Sequence, residues 1–402
     1  MKESKLILTI IVFSQFCCTS LWFAGNGIMS DLIANFNLNS RALGHLTSAV
    51  QFGFILGTLT FAIFTIADRF SPSIVFLTCA LLGSISNLGV IWEGNSLTSI
   101  LSLRFITGFF LAGIYPIGMK IAADHFEKGL GKSLGFLVGA LVVGTAFPHL
   151  AKEITGSFPW SYVLILTSSL AAFGGLLMLI LVPNGPYRVP AKALNLSAFF
   201  SVFRNRKFRS AAFGYFGHMW ELYAWWAFVP VILQTYGLKH NYTGLNIPLL
   251  SFLIIGIGGL ACIVGGYISQ MLGTKRIAFM ALFLSCICCL VSPWMFATTS
   301  QSIFIGFLFL WGMVVIMDSP LFSTLVAQNA SAEIKGTALT IVNCIGFSIT
   351  IISIQLLNIL QKFIDPRYIY LMLALGPILA LLTLFEKQKQ HPTKPKLHKN
   401  AV

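Results

Sequence analysis

Four ionisable side chains lie inside long apolar stretches of this sequence: Arg104, His218, Glu221 and Asp318. A charge at the centre of a bilayer costs roughly 2.5–3.5 kcal/mol on insertion scales, so each of these groups needs a partner or a wet cavity. His218 and Glu221 are three residues apart and therefore share one face of a helix. A carboxyl or imidazole at this depth is a candidate to bind and release a proton, and a static hydrogen bond between His218 and Glu221 is the structural alternative.

The composition predicts that the chain crosses a membrane many times. Of its 402 residues, 56% are hydrophobic and 9% are charged, whereas soluble domains carry about 25% charged residues. Stretches of about 20 apolar residues, enough to cross about 30 Å of hydrocarbon, are numbered here as spans 1–12. They fall near residues 6–29, 44–66, 73–93, 98–122, 132–151, 160–182, 210–236, 247–269, 277–297, 301–325, 337–361 and 367–386. The predicted fold is therefore all-α, with twelve transmembrane helices.

The positive charges are distributed unevenly between the loops. When both termini are placed in the cytoplasm, twenty Lys and Arg residues fall on the cytoplasmic side, five fall outside and Arg104 lies within a span. This asymmetry agrees with the positive-inside rule and predicts a multi-pass protein of the cytoplasmic (inner) membrane. The formal net charge of +14 then reflects topology, and no nucleic-acid partner is expected.

The cysteines predict no redox or metal chemistry. All eight lie within the spans, so none is positioned to form an extracellular disulfide. The cluster Cys286-Ile-Cys288-Cys289 has no His, Asp or Glu in its own span, so packing in an apolar helix is expected rather than metal binding. The sequence predicts no cofactor. Because it also shows no set of nucleophile, base and orienting group, no enzymatic activity is expected.

A polar stretch that contains prolines divides the chain between spans 6 and 7. The predicted parts are an N-terminal six-helix bundle at 1–183, a cytoplasmic linker at 184–209, a C-terminal six-helix bundle at 210–386 and a basic cytoplasmic tail at 387–402. Local patterns recur in the two halves at nearly constant offset: Pro116 corresponds to Pro320, and Asp68 to Gln270. Two pseudo-symmetric six-helix bundles in a parallel repeat are a known transporter architecture.

Three motifs carry a family resemblance. Phe64-Thr-Ile-Ala-Asp68-Arg69 follows span 2, Gly266-Tyr-Ile-Ser-Gln270-Met-Leu-Gly273-Thr-Lys275-Arg276 follows span 8, and Arg104-Phe-Ile-Thr-Gly108 lies in span 4. Together they resemble motifs of the major facilitator superfamily. The resemblance implies a gating role for Asp68, Arg69, Gly266, Gly273, Lys275 and Arg276, with Asp68 lying against the start of span 11. The Gly-Pro pair that antiporters of the family carry in span 5 is absent, which leaves symport and antiport open.

The resemblance also implies that spans 1, 4, 7 and 10 line a central cavity, and all four buried ionisable residues fall on these spans. The implied solute and proton site comprises Glu221, His218, Asp318, Arg104, Trp220, Tyr223, Tyr215, Trp22 and Asn26. Pro320 is expected to kink span 10 beside Asp318, as suits a moving gate. The aromatic rings favour a partly aromatic organic solute, and the mixed charges favour a neutral, zwitterionic or mildly cationic one.

The expected function is secondary active transport of a small organic solute by alternating access. We expect coupling to protons and a monomer embedded in the lipid bilayer. Within transporters, a facilitative uniporter and a drug or metabolite efflux antiporter are the alternatives. A non-transporting membrane receptor or sensor is the alternative outside that class.

Overall fold

The computed structural model describes residues 2–39, 41–126, 130–188, 202–242, 244–331 and 334–385, which contain helices and no β-strand. Each of the twelve predicted apolar windows contains helix. The predicted basic tail at 387–402 and much of the predicted linker lie outside the described residues. The proposed domain boundaries therefore stay predictions.

The helices follow one another with short connections. The first half consists of span 1 (Lys2–Thr19, Ala24–Gly27 and Met29–Asn35), span 2 (Ala42–Ile63), a short helix Ile66–Arg69, span 3 (Pro72–Gly89), span 4 (Leu97–Leu111 and Tyr115–His125), span 5 (Leu130–Ile154) and span 6 (Ser161–Leu181). The second half consists of span 7 (Arg206–His240), span 8 (Ile247–Leu272), span 9 (Thr274–Ala297), span 10 (Gln301–Met317 and Ser319–Asn329), span 11 (Lys335–Leu360) and span 12 (Pro366–Ile369, the 3-10 turn Tyr370–Ala374 and Leu375–Phe385).

The lengths and hydropathy of these helices suit a membrane. In the described part of the chain, 10 helices are long and apolar enough to cross one, and Leu6–Thr19 of span 1 is a shorter apolar helix. Span 7 is the twelfth span, beside these ten helices and span 1. It is the longest helix at 35 residues, and its His, Glu, Trp and Tyr residues make it less apolar than its neighbours. The predicted all-α fold with twelve spans is confirmed.

Spans 4 and 10 are broken at corresponding places. The second segment of span 4 begins at Tyr115 with Pro116 in its first turn, and that of span 10 begins at Ser319 with Pro320 in its first turn. Proline lacks the N–H that would continue a helix, and its fixed φ suits a helix start. The two breaks repeat the pseudo-symmetry that the sequence predicts.

The two halves meet along spans 2 and 11 and along spans 5 and 8. Small residues bring spans 5 and 8 together, since a Cβ added to Gly139 would lie 3.1 Å from the carbonyl oxygen of Gly259.

The end where span 6 runs into the linker is called the linker end here, and the opposite end is called the far end. At the far end, Gln355 Nε2 of span 11 donates to Gly44 O at 3.0 Å and to Ser48 Oγ at 2.8 Å, both in span 2.

Close packing between spans 2 and 4 makes one glycine sensitive to a single methyl group. A Cβ on Gly108 would lie 2.0 Å from the carbonyl oxygen of Val50, whereas a Cβ on Gly266 meets no atom within 4 Å. Gly108→Ala has to push two helices apart and is expected to reduce the free energy of unfolding by about 1–3 kcal/mol. Gly266→Ala is expected to keep or slightly raise it. Melting curves in one detergent check this, and equal melting temperatures would contradict the packing argument.

Candidate solute and proton site

A cavity of about 470 Å³ lies between the two halves and reaches the linker end. Its mouth is lined by Asp68 and Lys120 of the first half and by Gly336 and Thr337 of the second. Its inner walls include Thr58, Phe61, Tyr115, Met119, Leu141, Tyr215, Met219, Leu222, Tyr223, Ser319, Ser323, Asn343 and Phe347. The walls are largely apolar and aromatic with a few hydroxyl and amide groups, the usual character of a site for an organic solute.

Four aromatic rings close the cavity toward the far end, and they are called the ring cluster here: Trp22, Phe54, Tyr223 and Phe347. The Trp22 ring stacks on Tyr223, with centroids 5.7 Å apart and planes at 26°, and on Phe347 at 5.9 Å and 26°. Phe54 lies 4.8 Å from Trp22 and 4.5 Å from Phe347. Since Trp22 and Phe54 belong to the first half and Tyr223 and Phe347 to the second, the cluster joins the two halves.

The buried histidine of span 7 pairs with span 10 and not with its neighbour on the same helix. His218 Nδ1 lies 2.7 Å from Asp318 Oδ1, and both side chains are 1% exposed. A static bond between His218 and Glu221, the structural alternative, is therefore not formed in this conformation, because His218 Nδ1 pairs with Asp318 at the break of span 10 and Glu221 is bonded to other residues. The structure thus brings together two of the predicted ionisable residues in one contact.

Glu221 is held by three donors that sequence reasoning missed. Its Oε1 accepts from Ser285 Oγ at 2.6 Å, from Trp311 Nε1 at 2.7 Å and from Cys289 Sγ at 3.2 Å. These residues come from spans 9 and 10, and the carboxylate lies outside the cavity wall. A hydrogen-bond donor in another span leaves no trace in local spacing, so only Cys289, in the cysteine cluster, had drawn attention in the sequence.

Arg104 holds the interruption in span 1 and lies away from the cavity. Its Nη2 donates to Leu21 O at 3.0 Å and to Trp22 O at 2.6 Å, and its Nη1 donates to Asn87 Oδ1 at 2.8 Å. The guanidinium is buried. Irregular backbone at membrane depth requires such internal partners because lipid offers none. Asn87 in turn donates to Ser168 Oγ at 3.0 Å, which extends the contact to span 6.

The other predicted solute residues divide between the cavity and the packing. Tyr215 lines the cavity and donates to Asn343 Oδ1 at 2.8 Å. Trp220 instead donates its indole N–H to Met372 O at 2.9 Å and faces span 12. Asn26 donates to Thr47 Oγ1 at 2.9 Å, a contact within the first half. Tyr223 and Trp22 belong to the ring cluster, and of these two only Tyr223 lines the cavity.

The gating candidates lie near the linker end. Asp68 Oδ1 forms a salt bridge with Lys120 Nζ at 2.8 Å, and the loop carbonyls of Asp68 and Phe70 accept from Arg188 Nη2 at 3.1 and 2.8 Å. In this conformation Asp68 is thus paired within the first half. The remaining candidates are structural or exposed: Gly273 turns the chain between spans 8 and 9 with φ 91°, Gly266 faces open space, Pro320 starts the second segment of span 10, and Arg69, Lys275 and Arg276 are exposed.

The family model of the Major Facilitator Superfamily matches residues 11–354. The chain belongs to this superfamily. The solved structure of the proton:xylose symporter XylE superposes with a TM-score of 0.74 at 12% sequence identity, covering 95% of each chain. At that identity the likeness concerns the fold alone.

Two curated relatives match part of the chain. The niacin transporter NiaP of Acinetobacter baylyi is 29% identical over 180 residues, which cover 38% of this chain and 40% of the relative. The putative niacin/nicotinamide transporter NiaP of Bacillus subtilis is 28% identical over 166 residues, which cover 40% of each. The match therefore spans less than half the length of either relative. The family and these relatives indicate a membrane transporter of a small solute.

The contacts of Arg104 predict that its removal destabilises the protein. Arg104→Met leaves the carbonyls of Leu21 and Trp22 and the amide of Asn87 without their charged donor, so we expect a loss of about 3 kcal/mol in the free energy of unfolding. Lys152→Gln removes a partly exposed charge from the same half, where the pair with Asp31 is worth about 1 kcal/mol or less. Melting curves check this. An Arg104→Met variant that melts like the parent and binds solute less tightly would instead make Arg104 a solute contact.

Proposed function

We propose that the protein is a secondary active transporter that moves a small organic solute with a planar aromatic ring across the cytoplasmic membrane by alternating access, coupled to protons. One observation carries the proposal: the cavity between the halves opens at the linker end, and the ring cluster that closes it toward the far end is built from both halves. Relative movement of the halves separates those rings and opens the far end. With the linker and both termini in the cytoplasm, the structure corresponds to an inward-open state.

Size and chemistry of the cavity support an aromatic solute. Its volume of about 470 Å³ lies within the roughly 300–1,000 Å³ of small-molecule sites. Tyr223 and Phe347 present ring faces at its inner end, and Tyr215 and Asn343 present polar groups beside them. The names of the relatives make niacin and nicotinamide, a pyridine carboxylic acid and its amide, the first candidates.

The His218–Asp318 pair is the proposed proton site. Three neighbours of the pair line the cavity. Ser319 follows Asp318 in the chain, and Tyr215 and Leu222 each lie one helical turn from His218. A proton that enters the cavity thus reaches the pair after passing one layer of side chains. Glu221, the first choice from the sequence, is less suited because its carboxylate is surrounded by donors from spans 9 and 10.

Uptake into proteoliposomes tests the function. The purified chain is reconstituted and supplied with radiolabelled niacin or nicotinamide, with and without an imposed pH gradient, beside protein-free liposomes. We expect accumulation above the external concentration only when the gradient is present. Equilibration that ignores the gradient would make the protein a uniporter. Absence of uptake for both compounds and for a wider panel of aromatic solutes would favour the receptor or sensor alternative.

Two carboxyl variants locate the proton in the same assay. Asp318→Asn cannot ionise, so it is expected to lower gradient-driven accumulation to the level reached without a gradient while counterflow exchange persists. Glu221→Gln keeps an oxygen acceptor for Ser285, Cys289 and Trp311 and is expected to retain accumulation. The reverse pattern, with coupling lost in Glu221→Gln and kept in Asp318→Asn, would assign the proton to Glu221.

The Asp68–Lys120 pair is proposed to set the balance between the two open states. Released from Lys120, the Asp68 carboxylate is free to bind the start of span 11, whose helix N-terminus carries about half a positive charge and lies on the same cavity mouth. Lys120→Gln should therefore favour closure of the linker end, and Asp68→Asn should favour its opening. Labelling of a Ser323→Cys reporter on the cavity wall measures this; equal labelling rates in both variants and the parent would remove the gate.

A further inference from the structure

We propose that Gln51 in span 2 determines solute specificity by binding the carboxamide or the uncharged carboxylic acid group of an aromatic solute. The inference rests on the proposed transport of such solutes and adds the residue and the functional group that it recognises. Gln51 is 0% exposed. Among the described residues, neither its Nε2 nor its Oε1 has a hydrogen-bond partner, although buried polar groups are nearly always paired.

The position of Gln51 on its helix directs it to the interface between the halves. Residues 47, 51, 54 and 58 form one stripe along span 2, because positions four and seven apart lie on the same helix face. The other members of the stripe have known neighbours. Thr47 accepts from Asn26 of span 1, the Phe54 ring contacts Trp22, and Thr58 lines the cavity. Gln51 therefore lies one turn beyond the ring cluster, on its far-end side.

Span 11 of the other half lies beside the same part of span 2. Ser48, adjacent to this stripe, accepts from Gln355, and Phe54 packs on Phe347. Gln51 thus sits between the ring cluster and the far-end hydrogen bonds, both of which join the halves. When the far end opens, these contacts separate and the amide of Gln51 faces the opening pathway.

Two further buried donors lie near this position. The indole N–H groups of Trp22 and Trp226 have no acceptor in the described part of the chain. Both rings contact Tyr223, with centroids at 5.7 and 5.2 Å. A planar solute that replaces one ring of the cluster against Trp22 would bring its ring substituent toward these groups. The arrangement supplies an aromatic face together with several unused hydrogen-bond donors and one unused acceptor.

The chemistry of a glutamine side chain narrows the substituent. Its amide offers donors at nitrogen and an acceptor at oxygen, so it forms two hydrogen bonds with a group that also presents one of each. A carboxamide and a protonated carboxylic acid meet this requirement, whereas a carboxylate only accepts. A ring without such a substituent leaves the amide unpaired. The site should therefore prefer an aromatic carboxamide over the bare ring.

Calorimetry on the purified full chain tests this with pyridine-3-carboxamide and pyridine as probes. The parent is expected to bind the carboxamide at least about tenfold more tightly, the effect of one or two net hydrogen bonds. Gln51→Met, similar in size but apolar, should abolish that preference while the Kd for pyridine stays within about twofold. Gln51→Leu, also apolar, is the second variant and should lose the preference as well because its side chain offers neither donor nor acceptor.

Gln15 supplies the matched control. It is a buried glutamine of span 1 whose amide atoms also have no partner in the described chain, but its Oε1 lies against Gly118 of span 4 inside the first half. Gln15→Met should keep the preference for the carboxamide. An unchanged preference in folded Gln51→Met and Gln51→Leu would overturn the role of Gln51 and leave the proposed function intact. A parent that binds neither probe would overturn the aromatic solute class itself, and this inference with it.

Discussion

The bond between the Arg104 guanidinium and the interrupted backbone of span 1 is the constraint on which the arrangement around the cavity depends. Hydrocarbon cannot satisfy a free carbonyl, so a helix can be broken at membrane depth only where protein supplies donors. Arg104 supplies them to Leu21 and Trp22. The break in turn fixes where the Trp22 ring projects, and that ring is the member of the ring cluster that stacks on both Tyr223 and Phe347.

The polar contacts around Arg104 are buried and join several helices of the first half, whereas the polar contacts between the halves at the far end are partly exposed. Asn87 ties Arg104 to span 6, and Ser84 and Ser168 exchange hydrogen bonds with each other's carbonyl oxygens at 2.9 and 3.2 Å. Across the far end, the polar contacts include the neutral amide bonds of Gln355, each worth about 0.5–1.5 kcal/mol net, and an exposed bond from Asn246 Nδ2 to Glu153 Oε1 at 2.7 Å. A solute that binds one state a few kcal/mol better than the other is enough to shift such an equilibrium. In the proposed transport cycle, we therefore expect movement to occur between the halves.

Local sequence patterns predicted the fold and the set of unusual residues but not their pairings. Hydropathy and the repeated prolines at 116 and 320 act within one helix, so the spans and their breaks follow from sequence. The partner of His218 depends on which neighbouring helix meets span 7 at that height, and the i, i+3 spacing from Glu221 pointed to the wrong one. For the same reason, local spacing did not identify Lys120, Trp311 and Asn87 as the partners of Asp68, Glu221 and Arg104. The sequence predicted Trp220 in the cavity, but its indole N–H donates to a carbonyl oxygen of span 12. A tryptophan in a membrane helix can be satisfied in either place, and the sequence does not distinguish them.

The location of the His218–Asp318 contact is the reason why we propose this pair, rather than Glu221, as the proton site. Asp318 is the joint between Gln301–Met317 and Ser319–Asn329, and its carbonyl accepts from Phe322 at 2.8 Å at the start of the second segment. His218 anchors this joint to span 7. A change in the charge of the pair alters the attraction across a dry contact, where electrostatic interactions are strongest. Glu221 instead is bonded to three neutral donors on unbroken stretches of spans 9 and 10, so protonation there changes a hydrogen-bond pattern without a hinge to respond. Position relative to the break, rather than depth in the membrane, separates the two carboxylates.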